Sequence, residues 1–179
     1  SLKMRLGWEN ASECMVLVEL LNAIRLSRIA LHARTGKQQY KGHPDLEAFQ
    51  GFYELCQHPL YYNGGIESLS DIRQILTRFP LLKGVFIGRG LLSSPLLAKE
   101  FKGNETFLPE QRMSIYFAFH EELFSAYSQV LQGETQLLVK MKTLWEYFLP
   151  ETDRKLLKRI KKSTRLQQYT ESVKAIFTS

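Results

Sequence analysis

The sequence predicts a parallel α/β unit followed by an all-α bundle, and three observations carry that expectation. In the first hundred residues, short apolar runs alternate with helical stripes, and each run ends on a polar or glycine signal. Those ends fall at Lys3 to Arg5, His32, Asn63 and Gly88, 25 to 31 residues apart, the length of a strand with its returning helix. From Lys102-Gly103-Asn104 onward, strand signals give way to apolar residues at three- and four-residue steps, which sets a domain boundary near Gly103, with residues 1–102 and 103–179 as the two domains.

Leu2, Met4 and Leu6 alternate with Lys3 and Arg5 in the period of a strand. Gly7 breaks it, Asn10 or Ser12 can cap, and Ala11 to Arg25 reads as a helix largely packed against something. Arg28 to Ala33 is a second strand ending on His32, followed by the polar loop Arg34 to Gly42. Pro44-Asp45 opens a helix to about Cys56. Pro59 to Tyr62 is a third strand ending on Asn63-Gly64-Gly65, and Ser68-x-x-Asp71 has the form of a capping box before a helix to about Phe79. Gly84 to Ile87 is a continuous apolar run of the kind a strand buried on both faces shows; Gly88-Arg89-Gly90 ends it, and another helix opens at Ser94-Pro95. Met113 to Val130, Leu137 to Phe148, Leu156 to Ile160 and Leu166 to Phe177 then form the helical stripes of the bundle. His120 lies on an apolar stripe and reads as packing.

With 179 residues, 44% of them hydrophobic, the chain can bury a sizeable core. Cys14 and Cys56 show neither C-x-x-C spacing nor a Cys/His cluster, so no disulfide framework or metal site is expected. No apolar run is long enough to cross a bilayer and no signal-peptide succession stands at the start, which makes a soluble cytoplasmic protein the expectation. The net charge of +6 is local: Lys140 to Arg165 holds nine Lys or Arg against Glu146, Glu151 and Asp153. Within it Arg154, Lys155, Lys158, Arg159, Lys161, Lys162 and Arg165 come without an acid among them, a run that suits nucleic acid, an acidic membrane surface or a solvated face.

In open α/β sheets and (β/α)8 barrels alike, ligands bind beyond the carboxyl ends of the strands. A doubly wound sheet usually carries Gly-x-Gly-x-x-Gly after its first strand, which Leu6-Gly7-Trp8 does not resemble, so a barrel fits better, with half of it absent. Lys3 and His32 suit an electron-rich ring or a developing negative charge, while Arg5 by itself also reads as a surface charge. Asn63-Gly64-Gly65 and Gly88-Arg89-Gly90 suit a phosphate, through close backbone approach and a planar charged fork. No Ser/His/Asp arrangement or paired-carboxylate motif emerges, so an enzyme of this sequence relies on a cofactor or on a reactive side chain elsewhere.

Lys3-Met-Arg-Leu-Gly-Trp8, His32-Ala-Arg-Thr35 with Gln39-Tyr-Lys-Gly42, Asn63-Gly64, and Gly84-Val-Phe-Ile-Gly-Arg-Gly-Leu91 with Pro95 together resemble the tRNA-dihydrouridine synthases. The resemblance implies an FMN-binding (β/α)8 TIM barrel, here its C-terminal half with four parallel strands, followed by an all-α helical tRNA-binding domain. It also implies that Lys3 and His32 contact the flavin ring system, that Asn63, Gly64, Gly65, Gly88 and Arg89 hold the FMN phosphate end, and that Arg34 and Tyr40 face the substrate. With the basic tail, Lys158, Arg159, Lys162 and Arg165 become candidate tRNA contacts. The family commonly has Gly-Asn-Gly-Asp where this chain has Tyr62-Asn63-Gly64-Gly65. Its chemistry is reduction of FMN by NADPH, hydride transfer to C6 of a uridine and protonation of C5 by a cysteine. That cysteine belongs to the absent half, so no synthase activity is expected of this chain alone. Two open sheet edges favour pairing with another copy. Beside this reading stand a non-catalytic RNA-binding module on a half-barrel scaffold and another FMN barrel oxidoreductase acting on a small molecule.

Overall fold

The computed structural model describes residues 1–178. Strands β1 (Leu2–Gly7), β2 (Ile29–Thr35), β3 (Leu60–Asn63) and β4 (Gly84–Phe86) alternate with helices α1 (Glu13–Asn22), α2 (Leu46–Leu55) and α3 (Leu69–Arg78). After β4 come α4 (Arg89–Ser93), α5 (Leu97–Gly103), α6 (Pro109–Val130), α7 (Glu134–Leu144), α8 (Arg154–Lys162) and α9 (Leu166–Phe177). The strands form one sheet in the order β1-β2-β3-β4, every pair parallel.

The chain packs as two units that divide between Gly90 and Leu91, not at the expected Gly103. The reason lies in two buried residues. Leu96 joins the helical core with Tyr116 and Phe148, and the carboxylate of Glu100, 3% exposed, is paired with Arg112 of α6. A boundary at Gly103 would cut that ion pair.

In the first unit β2 is buried along almost its whole length, as a strand with neighbours on both sides must be. The rings of Phe49 on α2, Tyr62 on β3 and Phe79 after α3 meet edge to face at 4.9 and 5.0 Å, a geometry that adds about 0.5–1.5 kcal/mol per pair to the area buried. Ser68 and Asp71 form the expected capping box: Asp71 N–H donates to Ser68 Oγ at 3.1 Å and Ser68 N–H to Asp71 Oδ2 at 2.8 Å. Asp45 caps α2 by accepting from Ala48 N–H at 2.9 Å.

Helix α1 departs from expectation in two ways. It begins at Glu13, and Ser12 makes no side-chain cap; instead the Glu13 carboxylate accepts from the N–H groups of Trp8, Glu9 and Asn10 at 2.7–2.9 Å. Those bonds, Asn10 first, hold its pKa below the usual carboxylate value. The helix is also less packed than its composition suggests: Cys14 and Val18 are buried while Val16, Leu17 and Leu20 are exposed. β1 ends the sheet, so α1 meets it along one stripe only. Past β4, the helix expected at Ser94-Pro95 begins at Leu97, and the short α4 precedes it, starting at Arg89 itself.

The helical unit is centred on Met141, Trp145, Ile160 and Tyr169, all essentially inaccessible. His120, read from sequence as packing, is buried there within a polar chain. Trp145 Nε1–H donates to Tyr169 Oη at 2.9 Å, and Tyr169 Oη lies 2.6 Å from His120 Nε2. The Glu121 carboxylate can only accept, so the proton of the neutral His120 ring sits on Nδ1, 3.1 Å from Glu121 Oε1, and Nε2 accepts from the Tyr169 hydroxyl. Burial lowers the His120 pKa, against a smaller upward pull from Glu121, which keeps the ring neutral. The stability it contributes is present above its unfolded value of 6.5 and is lost as pH falls below that value toward the folded one. The midpoint of thermal unfolding followed by circular dichroism is therefore expected to drop below pH 6.5 in the wild type. Tyr169→Phe, which strands the Trp145 and His120 groups, is expected to cost about 1–3 kcal/mol. An unchanged midpoint in that variant would mean the chain of bonds carries no stability.

Candidate functional site

Parallel pairing sets Arg5, His32, Asn63 and Phe86 level with one another across the four strands. In-register residues of neighbouring strands point to the same face, and i, i+2 residues share it. Lys3, level with Ala30 and Tyr61, therefore stands one layer below Arg5, and Arg34 one layer above His32. The opposite parity carries Leu31 and Tyr62, whose contact with Phe49 marks the face covered by helices. The polar face is thus built by register alone.

Beyond the strands the chain folds back over this row. Arg34, 4% exposed, donates to the carbonyls of Lys41 and Gly42 at 2.7 and 2.9 Å, and its buried Nε has no acceptor. Arg5 donates to the carbonyls of Thr35 and Gln39 at 2.7 and 3.2 Å. The loop so held carries Tyr40, 59% exposed, with the Arg89 guanidinium 4.3 Å from its ring centroid and the His32 ring at 6.5 Å. Asn63 Nδ2 donates to Phe86 O at 2.8 Å, tying β3 to the end of β4. Gly64 and Gly65 have φ of +137° and +60°, values that side chains rarely adopt, and a Cβ on Gly64 would lie 3.3 Å from the His32 ring. A Cβ on Gly88 would meet nothing within 4 Å.

His32 is pushed down to about 4, first by burial and then by the positive charges of Arg5, Lys3, Arg34 and Arg89. It is a neutral imidazole in a positive field. The same crowding, after burial, lowers Arg34 through Arg89 and Arg5. An anion placed here relieves that repulsion, which is the chemistry the arrangement is suited to. α4 has five residues, too short for its dipole to matter greatly, so the Arg89 charge itself supplies the attraction at that end.

The second candidate surface lies in the helical unit. Ile160 of α8 faces the core, and Lys155, Lys158, Arg159 and Lys162, spaced three and four apart, line an open groove with Ser163, Gln168, Glu171 and Ser172. Arg165 stands outside that lining, as the N-cap residue of α9. Lys155 joins the groove although the candidate contacts chosen from sequence omit it; its i, i+3, i+4, i+7 spacing with the others is the signal.

The sequence from 1 to 178 matches the family model of the dihydrouridine synthases. The chain belongs to the dihydrouridine synthase family. It is 35% identical over 96 residues to a probable tRNA-dihydrouridine synthase of Rhizobium leguminosarum bv. phaseoli, covering 53% of this chain and 30% of that protein. It is likewise 35% identical over 102 residues to one of Aquifex aeolicus, covering 57% and 32%. The tRNA-dihydrouridine(16) synthase of Escherichia coli K12 is 28% identical over 110 residues, covering 61% and 35%. The chain thus spans about a third of the length of these family members. Among the described residues no group of three or more His, Cys, Asp or Glu is placed to hold a metal ion, and no helix is long and apolar enough to cross a membrane.

Of the residues expected from sequence to form a site in a family member, the structure brings His32, Gly64, Tyr40 and Arg89 together and sets Asn63 level with His32. Lys3 stands a layer deeper. Arg34 points its two terminal nitrogens at loop carbonyls, where it acts as a strut. Arg5 was legible as the second basic residue of an i, i+2 pair, yet only the register shows it beside His32. His32 is expected to titrate near pH 4 when its ring signals are followed by NMR, and Arg5→Ala to raise that value by removing the largest of the charge contributions. An unchanged value in Arg5→Ala would show that the Arg5 charge does not reach His32.

Proposed function

We propose that this chain is the flavin-phosphate and tRNA-binding part of a tRNA-dihydrouridine synthase: the C-terminal half of a (β/α)8 barrel over residues 1–90, followed by a helical tRNA-binding domain. The observation that carries the reading is the gathering of Arg5, His32, Tyr40 and Arg89 at the carboxyl ends of four parallel strands in a chain matched throughout by that family. The residues fit FMN. The buried Arg34 Nε lacks an acceptor, the space beside Gly88 is open, and the mutual repulsion of Lys3, Arg5, Arg34 and Arg89 calls for an anion.

In this reading Gly64, Gly65, Gly88 and Arg89 hold the phosphate, and Asn63 keeps the ends of β3 and β4 at a fixed spacing. Lys3 and His32 border the ring system; a neutral His32 forms hydrogen bonds there without adding charge. When bound there, FMN would supply hydride-transfer chemistry between NADPH and the uracil ring of the tRNA. Arg34 braces the loop that presents Tyr40, whose exposed ring offers a stacking face to the substrate. Cys14 on α1 and Cys56 at the end of α2 stand on helices and not in the row of strand-end residues, so the reading gives neither the role of general acid. Alone, the chain has no synthase activity. Its basic groove, with Lys158, Arg159 and Lys162 and the nearby Arg165, follows tRNA phosphates in a cytoplasmic enzyme. β1 and β4 end the sheet and are covered in the working enzyme by further strands or by another copy of the chain.

Titration with FMN followed by flavin fluorescence is expected to show binding that Arg89→Ala weakens about 10- to 100-fold, the worth of a charge-assisted hydrogen bond to phosphate. Binding indifferent to Arg89 would remove the assigned phosphate site. In filter binding with an unmodified tRNA transcript, Lys158→Ala, Arg159→Ala and Lys162→Ala are each expected to lower affinity and to reduce the salt slope by about one. Unchanged slopes would place the tRNA elsewhere.

A further inference from the structure

Trp8 is a large aromatic residue that the site described so far leaves unused. It is 66% exposed, whereas the other tryptophan, Trp145, is 2% exposed. Its backbone is tied on both sides: Trp8 N–H donates to Glu13 Oε2 at 2.8 Å, and Trp8 O accepts from Lys37 N–H at 2.9 Å. Gly36 N–H donates to Gly7 O at 2.8 Å, which draws the start of the Tyr40 loop against the end of β1. The benzo ring of the indole rests on that backbone. A Cβ on Gly36 would fall 2.3 Å from Cε3 and 2.8 Å from Cζ3, so only glycine allows so close an approach.

The result is a braced ring, anchored by its own main chain and open to solvent. A side chain with two rotatable bonds that is already supported loses little freedom when a flat partner covers it. Its immediate setting is polar. Glu9 is paired with Lys37, and Glu13 is engaged with three N–H groups, so both neighbouring carboxylates already have partners. The loop beneath the ring is tied to basic residues: Lys37 N–H donates to Trp8 O, and Arg5 donates to the carbonyls of Thr35 and Gln39. A braced, exposed aromatic plate on a loop held by an arginine is the chemistry that binds a nucleobase of a phosphate-bearing strand.

We propose that Trp8 is a stacking platform for a nucleobase flanking the one that enters the His32 site, so that the single-stranded segment is gripped on Tyr40 and Trp8 along one loop. The proposal rests on the reading of tRNA as substrate. It makes Trp8 a positioning residue, one that fixes the strand and leaves the chemistry to others.

Tryptophan fluorescence tests it directly, because Trp145 is shielded and Trp8 reports the exposed signal. Addition of an unmodified tRNA transcript is expected to quench the emission of the wild type and to protect it from acrylamide. Trp8→Phe, which keeps a stacking face, loses the quench and retains most of the affinity. Trp8→Ala lowers affinity about tenfold in filter binding. The Ala variant removes an exposed side chain and is expected to melt as the wild type does; should it not, acrylamide protection in the wild type still decides. tRNA binding with no quench, no protection and no loss in Trp8→Ala would overturn the platform and leave the tRNA reading standing. A wild type that does not bind the transcript would overturn both.

Discussion

The parallel register that sets Arg5, His32 and Asn63 level with one another is the constraint on which the rest of the first unit depends. It places a guanidinium, an imidazole and an amide at one height on one face, with Lys3 a layer below and Arg34 a layer above, beside a strand so buried that water cannot separate their charges fully. The protein answers with backbone carbonyls. Arg34 and Arg5 each take two from the loop 35–42, and the price of crowding cations becomes the order of that loop. Carbonyl dipoles neutralise only partially, and His32 registers what remains by staying neutral down to about pH 4. A site preloaded with positive potential in this way favours an anionic ligand before any specific contact forms.

The helical unit solves a different problem. Its core must bury Trp145 and Tyr169, which carry polar atoms, and it does so by giving each a partner in turn, ending at His120 and the half-exposed Glu121. Satisfied polar groups in a core specify one packing, because any shift of helix against helix leaves a donor bare. On this framework α8 lies with Ile160 inward and its lysines and two arginines outward, so a single amphipathic helix both closes the core and forms the basic surface. The first unit thus offers a short-range anion site and the helical unit an extended basic face.

Much of this was legible in the sequence. The alternation of Leu2 to Leu6, the Ser68-x-x-Asp71 box and the helical stripes from Met113 to Phe177 all found their elements, because each is a local signal whose cause lies within a few residues. The strand ends pointed to His32, Asn63 and Arg89. Less was legible where the deciding partner is distant or where two local solutions compete. At α1, Glu13 reaches back to three free N–H groups and displaces Ser12 as the cap, and the apolar residues beyond it stay exposed because β1 has a neighbour on one side only. At α5, the pairing of Glu100 with Arg112 moves the boundary between units upstream of Gly103.

By itself the sequence determined the order of strands and helices, the polar strand ends, the basic run of α8 and, through four short motifs, the family. Only the tertiary structure decided which of those polar groups meet. Periodicity tells which residues of a strand share a face, but the residue opposite is chosen by pairing with another strand some thirty positions away. An arginine at the end of a strand can reach water or turn inward with equal local ease, and burial under a returning chain settles it. That is why Arg34 proved to be a strut, why Arg5 stands beside His32, and why the indole of Trp8 rests on Gly36, a neighbour that no local pattern announces.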